Sequence, residues 1–177
     1  MRNIRNMTTA AVMLALGQVL PFITGQIPQI GARLSPMHLP VLLCGFAAGP
    51  AWGAVVGFIC PLLRSVLFGM PPIFPTATAM AFELCTYGFI SGFLFQNAKK
   101  QNLVSVYTSL IGAMLAGRVV WGIVQYILLT ATKSTFTFQA FLAGAFINAV
   151  PAIILQLVLV PILVMALGKI GVIKLRQ

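Results

Sequence analysis

Residues 37–95, MHLPVLLCGFAAGPAWGAVVGFICPLLRSVLFGMPPIFPTATAMAFELCTYGFISGFLF, decide how this chain folds. Two breaks divide the stretch into three apolar runs. Gly49-Pro50 ends the first, about Met37 to Ala48, and GMPPIFP, residues 69–75, ends the second, about Ala51 to Phe68. Proline stops a helix there because it lacks the amide proton and its ring clashes with the preceding turn. The third run goes from about Thr76 to Phe95. The second and third approach the ~20 residues that cross a bilayer, whereas the first is short for a span.

Similar apolar runs lie on both sides. About Met7 to Ile23 precedes the polar stretch TGQIPQIGARLSP, residues 24–36, which holds Gln29 and Arg33. So long a connection in a compact bundle is expected to be a lid or binding loop. After QNAKKQN comes a fifth run, about Leu103 to Thr130, long enough to tilt. A sixth runs from about Gln139 to Leu167, where Pro151 and Pro161 predict kinks.

Composition agrees with spans. The chain has 177 residues, 60% hydrophobic and 7% charged, and a mean hydropathy of +1.03. A soluble domain carries nearer 25% charged residues. At ~20 residues per span the length allows six or seven helices, so residues 1–177 are expected to form one membrane domain. Against 11 Lys+Arg stands a single acid, Glu83. Most of the cations form three patches: Arg2 with Arg5, Lys99 with Lys100, and Lys169 with Lys174 and Arg176. Cytoplasmic loops collect Lys and Arg. The expectation is therefore an all-α integral membrane bundle of six transmembrane helices in the cell membrane. Both termini lie inside, the second helix is short and the first outer loop long.

Several functions are excluded. The net charge of +10 is scattered among spans and forms no continuous phosphate track, so no nucleic-acid partner is expected. The start, MRNIRNMTTAAVMLALGQ, has signal-peptide features, but its removal would leave an odd number of spans, so an intact first helix is expected. Cys44, Cys60 and Cys85 lack CxxC spacing and read as small buried hydrophobes. One His and one acid are too few for a metal site, and no cofactor is expected. Neither a triad nor paired acids can be assembled, and no Walker loop is present.

Ionisable groups inside spans are costly and normally paired or functional. At about 1.5 Å per residue, Arg64 stands about 20 Å up its helix and Arg118 about 22 Å, both in the outer half. Glu83 lies about 10 Å and Asn148 about 14 Å below the outer starts of their helices, and His38 begins the second. These five side chains from five helices reach one level. Two arginines against one carboxylate leave a charge of +1, which suits an organic anion held by an arginine fork. The alternatives are that Glu83 merely staples two helices and that Arg64 snorkels past Phe68. Trp121, Gln125 and Tyr126 can share a helix face with Arg118, as a pocket wall or an interfacial aromatic belt. Asn148 and the deeper Gln156 could bind ligand or bond across helices, and Asn148 is the preferred ligand group.

Small residues mark close helix contacts. Gly45, Gly49, Gly53 and Gly57 recur every four residues; Gly88 with Gly92, and Gly112 with Ala116, form further pairs. These are expected to pack inside the bundle, while Ala11 and Ala15 suit either the bundle or a partner protein.

With these motifs in hand, the chain resembles the substrate-binding S component of an energy-coupling factor (ECF) vitamin transporter. The likeness rests on its six-span size, the AxxxA of Ala11 and Ala15, the long first loop, and the PMHLPVL and PLLRS…GMPP…FELxxYG string within residues 35–92. That string is similar to the pantothenate-type subgroup. The resemblance implies vitamin capture near the outer face, where charge and depth, as read above, place His38, Arg64, Glu83, Arg118, Trp121, Gln125 and Asn148 as the candidate binding residues. Residues 24–36, with Gln29 and Arg33, would close as a lid. Ala11 and Ala15 would dock on a membrane coupling subunit driven by two cytoplasmic ATPase subunits. The S component itself would then be no enzyme. Alternatives are a neutral pyridoxine- or hydroxymethylpyrimidine-like ligand, an intramembrane enzyme using His38 and Glu83, and an oligomeric pore.

Overall fold

The computed structural model describes residues 2–24, 36–131, 139, 149–173 and 175. Six helices carry the described chain: α1 (Arg2–Thr24), α2 (His38–Ala48), α3 (Pro50–Phe68), α4 (Thr78–Asn97), α5 (Leu103–Ala131) and α6 (Val150–Lys169). No strand occurs among the described residues. All but α2 are long and apolar enough to cross a membrane. The proline-rich break ends in a short π-helical turn, Ile73–Ala77, extended at Phe74 (φ −118°, ψ 134°), which runs into α4. Residues 140–148 of the last expected span lie outside the described residues, as do the loop 25–35 and Lys133.

With 11 residues, α2 is about 16 Å long, half the apolar thickness of a bilayer. Every residue of it except Ala47 is buried, and it packs against α1, α3, α4 and α6. A helix apolar on all sides belongs inside a bundle, and α2 is such a core helix. At its C-terminus the Asn6 side-chain amide donates to the Ala48 carbonyl at 3.1 Å. Gly49 (φ 97°) then makes the reversal into α3, and Pro50 opens α3, where no intrahelical donor is needed.

The regularly spaced glycines meet one another. A Cβ on Gly88 would fall on the Gly53 backbone, one on Gly92 on the backbone of Gly45 and Pro50, and one on Gly57 on the Leu84 carbonyl. Helices α2, α3 and α4 therefore touch backbone to backbone, the close approach that small residues allow in lipid. Gly112 of α5 instead lies against the Leu94 side chain of α4. Chain reversals bring Asn3, Arg5 and Asn6 to the same end of the bundle as Ala48, Asn97 and Ile173. Exposed Lys99 and Lys100 mark this as the basic end.

Gly88→Ala is expected to destabilise the detergent-solubilised protein by up to about 2 kcal/mol. Overpacking against rigid backbone costs up to ~3 kcal/mol, and alanine's helix preference returns ~1. Thermal unfolding checks this; a loss under about 0.5 kcal/mol would mean that α3 and α4 separate freely.

Candidate ligand-binding site

Glu83 is the chain's single carboxylate, and α4 carries it into the bundle with 2% of its surface exposed. Its Oε1 lies 2.9 Å from Arg118 Nη1 on α5 and 3.7 Å from His38 Nε2 at the start of α2. All three side chains are buried. Gly117 makes the approach possible, because a Cβ there would fall on the Tyr87 ring. One turn along α4 from Glu83, Tyr87 meets the His38 ring edge-on with centroids 5.3 Å apart. Its hydroxyl is buried and makes no hydrogen bond among the described residues.

The cluster is neutralised but not saturated. Arg118 uses Nη1 toward Glu83, while its Nε and Nη2 are buried with no hydrogen-bond partner among the described residues. Those two N–H groups form one edge of the guanidinium, the edge that grips a carboxylate through two parallel bonds. Gln125 Oε1, two turns along α5, is likewise buried and unpartnered. Each such group costs about 1–3 kcal/mol while nothing answers it. Native interiors carry few of them, and an arginine edge left idle beside its carboxylate is an arrangement that a ligand would satisfy.

Of the residues expected at this level, His38, Glu83 and Arg118 come together. Arg64 does not join them, because the phase of α3 turns it toward α1. Its Nη1 donates to the Gln18 carbonyl at 2.9 Å, and its guanidinium lies over the Phe22 and Phe68 rings at 4.9 and 5.4 Å. The two arginines thus occupy separate environments, and their charges do not pool. Trp121 and Gln125 are half-buried on α5, whereas Tyr126 is 58% exposed and leaves the face of Arg118. Gln29, Arg33 and Asn148 lie outside the described residues. Ala11 and Ala15 are exposed on α1, on the side away from buried Ala10 and Met13. Cys44 and Cys60 are buried and Cys85 is half-buried.

Sequence reasoning passed over Tyr87, although its spacing of four from Glu83 puts both on one face. Gln156, expected to lie deeper than Asn148, is buried on α6. From the basic end, Glu83 stands about 21 Å above Asn97, Arg118 about 22 Å above Leu103, and Gln156 about 20 Å above Lys169. A cleft of about 1070 Å³ opens at the basic end between Arg5, Trp52 and Asn97. It shares no residue with the polar cluster, and the chemistry points to the cluster.

Arg118→Met alone strands a buried carboxylate and is expected to cost about 3–5 kcal/mol. Adding Glu83→Gln should recover most of that loss. Thermal unfolding of the two single variants and the double variant gives the coupling; a value near zero would mean that the pair does not form.

The family model described as "ECF transporter, substrate-specific component" matches residues 5–164. Neither the curated proteins nor the solved structures include a match to the chain. The matched range runs from the first turns of α1 into the last turns of α6 and contains the whole polar cluster. A multi-pass helical protein whose buried, incompletely satisfied arginine and glutamate face a helical core belongs, by that match, to the substrate-specific components of the ECF transporters.

Proposed function

We propose that this protein captures a small carboxylate vitamin, pantothenate being the leading candidate, and hands it to an ATP-driven ECF module. The observation that carries the reading is the buried Nε/Nη2 edge of Arg118, which has no acceptor among the described residues. Pantothenate supplies a carboxylate for that edge, and its amide and hydroxyl groups suit the neighbouring polar side chains. His38 and Glu83 position Arg118 from behind, while Trp121 and Gln125 line the approach and Asn148 adds a polar contact. In this reading the loop 24–36, with Gln29 and Arg33, closes over the ligand, and Arg64 ties α3 to α1. The protein itself catalyses nothing. ATP hydrolysis belongs to two cytoplasmic ATPase subunits acting through a membrane coupling subunit.

The orientation in this reading puts both termini and the basic end in the cytoplasm of a bacterial cell. It is supported by Arg5, Lys99, Lys100 and Lys169, which follow the positive-inside rule. Ala11 and Ala15 offer a small, exposed pair on α1 that a partner helix can approach closely. A second reading, a neutral vitamin of the pyridoxine or hydroxymethylpyrimidine type, is favoured by one observation: Glu83 already neutralises Arg118.

Calorimetry on purified, detergent-solubilised protein separates the two readings. Pantothenate should bind, with pyridoxine and thiamine failing to compete. Arg118→Lys keeps a cation beside Glu83 but loses the planar fork, so pantothenate affinity should fall at least about tenfold. Unchanged affinity would remove Arg118 from the site. Ala11→Trp and Ala15→Trp should abolish uptake in cells carrying the ECF module while leaving pantothenate affinity intact, since bulk there blocks close helix approach. Loss of affinity would instead place those alanines in the ligand-binding fold.

A further inference from the structure

The buried stripe of α6 consists of Ala152, Gln156, Val160 and Val164, each with no exposed surface. This stripe faces the bundle, where α6 packs against α2 and α5, the helices that bring His38 and Arg118. Within it Gln156 is the single polar residue, and both Oε1 and Nε2 are buried with no hydrogen-bond partner among the described residues. Leucine would fill the position without leaving polar atoms unanswered, so the carboxamide is a cost to the empty bundle. Counted along the helix axes, Gln156 lies within about 3 Å of the level of Glu83 and Arg118. An amide whose donor and acceptor are both idle, at the height of an arginine whose fork is idle, is arranged to meet a second polar group.

We propose that Gln156 forms the neutral half of the ligand site, pairing through Oε1 and Nε2 with an amide or hydroxyl group of the same molecule whose carboxylate Arg118 holds. The inference rests on the carboxylate-capture reading and deepens it. The preferred substrate class becomes a small acid that also carries a neutral group able both to donate and to accept. Simple aliphatic acids satisfy only half of such a site. Discrimination is strong in this chemistry, because an analogue without the second group leaves the buried carboxamide unpaired in the complex. The carboxamide itself therefore sets specificity, and the arginine sets the charge.

Gln156→Leu tests this with two readouts. Thermal unfolding without ligand should give a melting temperature equal to or above that of the wild type, since an unanswered amide has been replaced by an apolar group. Pantothenate affinity by calorimetry should fall at least tenfold. Gln156→Glu, which sets a like charge near the ligand carboxylate, should weaken pantothenate further. A melting temperature lowered by several degrees in Gln156→Leu would show that the amide holds the helices together and would overturn the proposal. Unchanged pantothenate affinity in a folded Gln156→Leu would overturn it as well. Wild-type protein that binds none of pantothenate, pyridoxine or thiamine would overturn the carboxylate reading instead. A raised melting temperature in Gln156→Leu would even then support Gln156 as a ligand-facing group.

Discussion

Inside an apolar bundle a carboxylate stays ionised only beside a cation, and removing two ions from water costs several kcal/mol each before they meet. Glu83 and Arg118, 2.9 Å apart, satisfy that condition across the α4–α5 contact. Much else follows from their meeting. The two helices must stand at one axial register, and α5 must come close enough that Gly117 has room for no side chain. His38 reaches the same carboxylate from the first residue of α2, which sets the height of that short helix in the core. A buried pair contributes little net stability but resists being broken, so it serves here to hold the remaining N–H groups of Arg118 in a defined direction.

The second constraint is the glycine contact among α2, α3 and α4. In lipid no hydrophobic gain drives one apolar helix onto another, so close packing has to come from shape. Gly45, Gly53, Gly57, Gly88 and Gly92 provide it, bringing backbone against backbone. The polar cluster thus stands against a tightly joined wall, with α5 and α6 completing its other side. In this substrate-specific component of an ECF transporter, Arg118 on α5 is held by Glu83 of that wall, and His38 of α2 stands beside the same carboxylate.

Segment ends, the short second helix and the inward glycines were legible because hydropathy, proline and small-residue spacing act locally. The convergence of His38, Glu83 and Arg118 was legible too, since the rise per residue gives axial height without any knowledge of neighbours. Arg64 shows where that method stops. Height was counted, but rotation about the helix axis sends its guanidinium to Phe22, Phe68 and the Gln18 carbonyl. Gln156 shows a second limit of counting. Its depth was counted from a helix start at Gln139, whereas counting from the basic end brings it level with Arg118.

By itself the sequence determined a helical membrane protein, its spans, and the axial level at which its few polar side chains collect. Those properties depend on transfer energies and helical rise, which each segment carries alone. Only the tertiary structure decided which arginine meets Glu83, which N–H groups of that arginine are left without a partner, and that Gln156 looks into the bundle. These depend on rotation and on which helix lies beside which, and backbone contacts between residues distant in sequence set both.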